Sequence, residues 1–192
     1  MSGIFYLTTV CRFLAAALLL EVAAAGMQLP QHVAEDAKQG VSLEYQVKAA
    51  YLLNFTKFID WPPDAAGADG DAPFILCIAG ENPFGAVLEQ MMQGQKVGGR
   101  PIEIQRMGQN TNKGCQVVYF SATGKGVRKA VEGLGPGVLT VGEGESFIKE
   151  GGMIAFVLED RRVKFDVNLS ATRGAMLTLS SRLLAIAKWV GK

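Results

Sequence analysis

A chain of 192 residues, 49% of them apolar and 19% charged, has the makeup of one globular domain around one core. Its 19 basic and 18 acidic residues are scattered and give a formal charge of +1. The absence of a basic stripe sets nucleic acid aside as a partner.

Residues 1–25 read as a signal peptide and not as part of the fold. Arg12 is the only cation ahead of the apolar run Phe13 to Leu20, and Ala23, Ala24 and Ala25 offer a small-residue cleavage site. A membrane span needs about 20 apolar residues, and Arg12 and Glu21 interrupt this segment on either side of its centre. Cys11 lies upstream of the apolar run, which argues against a lipoprotein. The mature chain is then expected to begin near Gly26 in an oxidising compartment, with Cys77 and Cys115 as its cysteines. An even pair suggests a disulfide, and two buried free thiols are the alternative. Position favours the bond, because Cys77 lies inside Phe74 to Ala79, Cys115 opens the run to Phe120, and the two runs could be neighbouring strands.

Residues 26–41 mix Gln, Pro, His and Asp without a period and read as a flexible N-terminal arm. Order is expected from Ser42, the start of a single domain over 42–192. Leu43, Val47, Ala50, Tyr51, Asn54, Phe55 and Phe58 recur at three and four and predict a helix ended by Pro62 and Pro63. Its apolar face is wide enough that Tyr51, Phe55 and Phe58 are candidates for a partner surface as well as for the core. Phe74 to Ala79 reads as a strand buried on both faces. Asn82 is a candidate cap for a helix with Phe84, Val87, Leu88 and Met91 inward, ended at Gly94. A strand over Pro101 to Met107, another over Gln116 to Ser121, a helix face of Val127, Ala130, Val131 and Leu134, and a strand over Val138 to Val141 follow. This alternation predicts an α/β fold of three layers, a mostly parallel sheet flanked by helices. Met153 to Leu158 and the alternating Val163, Phe165, Val167 and Leu169 read as a β-hairpin near the C-terminus. Its second strand, with Lys164, Asp166 and Asn168 on one face, is expected to be a partly exposed antiparallel edge. Ser180 is then predicted to cap a last helix with Leu183, Leu184, Ala187 and Val190 inward.

Catalytic signatures are scarce. Gly124, Lys125 and Gly126 follow a strand as a phosphate loop would, but Tyr119 stands where the earlier glycine belongs. Gly133, Gly135 and Gly137 come after a helix and before a strand, the reverse of a dinucleotide fingerprint. A single His, two cysteines and dispersed carboxylates make no metal-ligand set, and no cofactor is expected. Glu143 and Glu145, flanked by glycines, read as a solvated loop. Near the last helix, Ser180 and Ser181 with Arg173 and Arg182 form a candidate site for a small anionic ligand or a partner.

Val47-Lys48-Ala49-Ala50-Tyr51-Leu52-Leu53-Asn54-Phe55-Thr56-Lys57-Phe58, closing in Trp61-Pro62, resembles the opening helix motif of the YfiR-like family. Cys77-Ile78-Ala79-Gly80 with Asn82-Pro83-Phe84-Gly85, then Val97-Gly98-Gly99-Arg100-Pro101-Ile102, is similar to that family's next block. Val138 to Gly142, Gly151 to Ile154, Phe165 to Leu169 and Leu179 to Leu184 continue the match in the family's order. The resemblance implies a periplasmic, non-enzymatic α/β domain that represses a membrane-bound diguanylate cyclase, lowering cyclic di-GMP and biofilm formation. It also implies a disulfide at Cys77 and Cys115. One departure is that no cysteine lies near Gly151-Gly152-Met153, so a second bond of the kind found in the family has no counterpart here.

Two functions of different class follow. One is an interaction protein acting on the periplasmic domain of an inner-membrane diguanylate cyclase or sensor kinase. The other is a small-molecule sensor with its ligand at the carboxyl ends of the strands or near the last helix. The oligomeric state, a homodimer included, is left open by the sequence.

Overall fold

The computed structural model describes the backbone of residues 32–63, 72–107, 114–121 and 126–191, with side chains from Leu43 onward. The signal peptide, the first part of the arm and Gly124 and Lys125 lie outside the described residues. The chain divides into Met1–Lys38 and Gln39–Lys192, and every contact described belongs to the second unit. Helix α1 (His32–Lys57) begins ten residues before the expected start. Val33 to Gln39 is rich in good helix formers, so extending an existing helix through it costs little despite Gly40.

After α1 come β1 (Ile59–Asp60), β2 (Phe74–Ala79), α2 (Val87–Met92), β3 (Lys96–Val97), β4 (Arg100–Arg106), β5 (Cys115–Phe120), α3 (Val127–Glu132) and β6 (Leu139–Glu143). Then follow α4 (Gly144–Lys149), β7 (Ile154–Glu159), β8 (Arg162–Asn168), α5 (Leu169–Gly174), β9 (Thr178–Leu179), α6 (Ser181–Ile186) and β10 (Trp189–Gly191). One sheet has the order β10-β8-β7-β6-β5-β2-β4-β3. Strands β4, β2, β5, β6 and β7 are mutually parallel, and β8 returns antiparallel to β7 as the predicted hairpin. The parallel strands thus run outward in both directions from β2, a doubly wound order. Helices follow on both faces. Ala49, Leu52 and Phe55 of α1 and Leu88 and Met92 of α2 share one buried cluster with Phe156, Phe165 and Leu183. Val127 of α3 and Phe147 of α4 share another with Cys77, Cys115, Val118 and Ala155. The three-layer α/β expectation therefore stands.

Several details differ from the sequence reading. Asn82 accepts from the Phe84 amide at 3.0 Å but caps a turn, and helical geometry begins only at Val87. The Gly98-Gly99 pair, with φ of 58° and 87°, makes the two-residue turn of the β3-β4 hairpin, which the periodicity had not suggested. The Glu143 to Glu145 segment is not a solvated loop: it ends β6 and starts α4. The last helix stops at Ile186, and Trp189–Gly191 pair in parallel with Asp166–Asn168. Backbone partners on β8 outweigh a helical continuation through Val190. As a result β8 is not an edge strand, and Asp166 on its polar face is only 5% exposed.

Candidate functional site

The ionisable groups converge where α1 crosses the carboxyl ends of β5 and β6. Lys48 is carried on α1 with its side chain 4% exposed, and its ammonium lies 2.9 Å from Glu143 and in contact with Glu44 one turn earlier. It also stands 4.6 Å above the Tyr45 ring. Fully buried Tyr119 donates its hydroxyl to the same oxygen of Glu143 that Lys48 reaches. Phe84 meets Tyr45 and Tyr119 edge to face, with centroids 5.3 and 4.8 Å apart, and closes the apolar side of the cluster. A cavity of about 470 Å³ opens beside Glu44, Lys48 and Glu143.

This chemistry locks the site; it does not prepare it for acid–base work. Burial pulls the Lys48 ammonium toward deprotonation, but its hydrogen bonds to Glu44 and Glu143 and their charges prevail and raise its pKa. Burial first, then donation to Glu143 and that carboxylate's charge, push the Tyr119 phenol far above its ordinary value. A lysine held charged is a poor nucleophile, and a phenol whose pKa is pushed this far up supplies no phenolate near neutrality and is only a weak proton donor. The cluster ties α1 to the sheet across 95 positions of sequence, the distance from Lys48 to Glu143. At the reversal of strand order, the Ser121 amide and hydroxyl both donate to the Ala79 carbonyl at 3.1 Å and bridge β2 and β5. Among the described residues no group of three or more His, Cys, Asp or Glu is placed to hold a metal ion.

The residues singled out in the sequence fall in three places. Cys77 and Cys115 are bonded, joining adjacent parallel strands β2 and β5 in the buried layer beneath α3 and α4. Phe55 is fully buried and Tyr51 and Phe58 are packed beside it. Phe55 stacks on Phe156 and meets Phe165 edge to face, and Tyr51 lies tilted to Phe156 and edge to face with Phe165, which corrects the partner-face reading for this pair: the sheet is what they meet. Ser180 accepts from the Leu183 amide as the cap of six-residue α6, while Ser181, Arg182 and Arg173 are exposed. Lys48, Glu44, Glu143 and Tyr119 were missed. Lys48 reads as a solvated helix position, and no local spacing connects it with Glu143.

Comparison with known proteins places the chain. No curated protein matches it. The YfiR/HmsC-like family model matches residues 45–188, from within α1 to the residue before β10. With the match running through Lys48, both cysteines, the parallel strands and the β7-β8 hairpin, the chain belongs to the YfiR/HmsC-like family.

Proposed function

We propose that the mature domain is a periplasmic regulator that binds the periplasmic part of an inner-membrane diguanylate cyclase and holds it inactive. The family match over residues 45–188 carries this reading, since the family is periplasmic, regulatory and non-catalytic. It agrees with a buried disulfide, a feature of oxidising compartments, and with a central charge cluster unsuited to proton transfer. Among the described residues no helix is long and apolar enough to cross a membrane. Inhibition requires tighter binding to the inactive partner than to the active one. A preference of about 100-fold, or about 2.7 kcal/mol, suffices for a partner poised near balance.

Of the faces open to such a partner, an exposed apolar groove suits it best. Leu43, Val47 and Leu158 are 61%, 37% and 59% exposed and line a groove of about 590 Å³ bordered by Arg161 and Arg162. Apolar centre and charged rim are the makeup of a protein contact. Exposed Arg173 and Arg182 offer a second contact. Deleting the gene is expected to raise cyclic di-GMP, and restoring the exported protein to lower it, with Leu43→Asp/Leu158→Asp failing to do so while remaining folded. If cyclic di-GMP ignores both deletion and restoration, and capture from membranes yields no cyclase, the repressor reading is wrong. The small-molecule sensor would then be the better account, with the cavity beside Lys48 and Glu143 as its first candidate site.

A further inference from the structure

Away from that groove, a second cavity of about 520 Å³ lies where the end of α1 and β1 stand beside the β3-β4 hairpin. Its wall holds three cations, Lys57, Lys96 and Arg100, against one carboxylate, Asp60. Local structure brings them together. Lys57 is the last residue of α1, and the Gly98-Gly99 turn sets Lys96 and Arg100 on neighbouring strands, Val97 facing Arg100 across the hairpin. Lys57 donates to the Gln95 side chain at 3.1 Å, which ties the helix end to the hairpin. None of the four charged groups forms an ion pair among the described residues. Arg173, Ser180, Ser181 and Arg182 are not part of this wall.

Arg100 is the unusual member, a cation only 8% exposed. Its Nε donates to the Ala72 carbonyl at 2.5 Å and its Nη2 to the Pro73 carbonyl at 2.6 Å, where the chain enters β2, and its guanidinium lies 5.8 Å from the Phe74 ring centre. Carbonyl dipoles and a ring hold the group in place without cancelling its charge, and a buried cation lacking a counter-charge is unfavourable. Burial lowers its pKa, but a guanidinium stays protonated near neutrality. The third nitrogen, Nη1, donates to no described residue, and it is open to solvent: among the described residues Asp166 Oδ1 is the one side-chain polar atom both sealed and without a partner. Half-buried Trp61 and Val97 add apolar wall to the same cavity. An organic cation would add to the surplus of positive charge, and a neutral ligand would leave it uncompensated. An inorganic anion would leave Trp61 and Val97 uncovered. We propose that this cavity binds a small organic carboxylate, its oxygens on Arg100 Nη1 with Lys57 and Lys96 close by, and its apolar body against Trp61 and Val97. The bond to Nη1 is then charge-assisted in a partly desolvated setting, where such bonds are strong.

The site does not depend on the repressor reading. The test is calorimetric titration of the mature protein with 3-phenylpropionate, beside its uncharged analogue 3-phenylpropanol and beside inorganic phosphate. Saturable binding of the carboxylate is expected, at least tenfold weaker for the alcohol and for phosphate, about tenfold or more weaker in Arg100→Gln, and weaker as sodium chloride is raised. Melting curves check that Arg100→Gln folds, since the side chain also holds the entry to β2. Should it not, Lys57→Gln/Lys96→Gln, both exposed, is expected to lose affinity several-fold. Absence of saturable binding, alcohol or phosphate binding as tightly as the carboxylate, or undiminished affinity in the folded Arg100 variant (or, if that fails to fold, in the double lysine variant) would overturn the proposal.

Discussion

The Lys48–Glu143–Tyr119 cluster makes stability fall in alkali, with a slope assignable to single groups. An unfolded tyrosine ionises near pH ~10, whereas buried Tyr119 keeps its proton well beyond that because burial and Glu143 both oppose a phenolate. Above pH ~10 the native state therefore holds one more proton than the unfolded state at this position, and stability declines by about 1.4 kcal/mol per pH unit. Lys48 has the same sign. Its folded pKa lies above 10.5, so its contribution is complete below the unfolded value and is lost as pH rises through the folded one. Tyr45, raised by burial and by Glu143, adds the same sign, and the three give a decline of about 1.4–4 kcal/mol per unit above pH ~10.5, large against a total stability of about 5–15 kcal/mol. Urea unfolding followed by circular dichroism between pH 8.5 and 11.5 reads this slope. Tyr45, whose phenol is also pushed up by burial and by the Glu143 charge, is present in both the wild type and Tyr119→Phe, so the difference between the two proteins reads the Tyr119 phenol. The variant should lose about 1.4 kcal/mol per unit of the slope. Equal slopes in the two proteins, or a wild-type stability that is flat across the range, would refute the reasoning.

Reducing the Cys77–Cys115 bond, whose partners are 38 residues apart, is expected to lower stability by up to about 4 kcal/mol through the freedom restored to the unfolded chain. Thermal melts with and without a thiol reductant measure it, and an unchanged melting temperature would contradict it. Gly152→Ala places a Cβ 2.2 Å from the Phe147 ring and 2.7 Å from its carbonyl oxygen, so a loss of about 1–3 kcal/mol is expected by the same unfolding assay. A neutral result would mean that α4 shifts away from β7 without cost.

How much was legible depended on whether a residue's environment lay near it in sequence. The β2 and β5 runs are apolar throughout, because both faces of a central parallel strand are covered, and they were readable as such. Residues 144–149 were not readable as a helix, since Phe147 and Ile148 are the only apolar residues in barely two turns. Val190 follows Leu183 by seven, which fits a helix, and only the partner strand β8 decides otherwise. Asp166 alternates with Phe165 and Val167 as a surface residue should. β10 pairs beside it and α4 lines a cavity with it, two elements that periodicity did not reveal. The anionic reading near Ser180 rested on a local pattern, whereas the charge cluster of Lys48 depends on a contact that only folding makes.

The link between β2 and β5 also bears on how fast the chain folds. Parallel pairing of Cys77 with Val118 and its neighbours is non-local, because the β3-β4 hairpin and α2 lie between the two strands. A reduced chain must close that 38-residue separation by diffusion, at an entropic cost of about 3 kcal/mol. An oxidised chain enters folding with the strands already adjacent. If the pairing forms before the rate-limiting barrier is crossed, oxidation accelerates folding by on the order of a hundredfold. Thiol oxidation then sets the time for which the apolar runs of the sheet are exposed to aggregation, an effect separate from the stability of the finished fold.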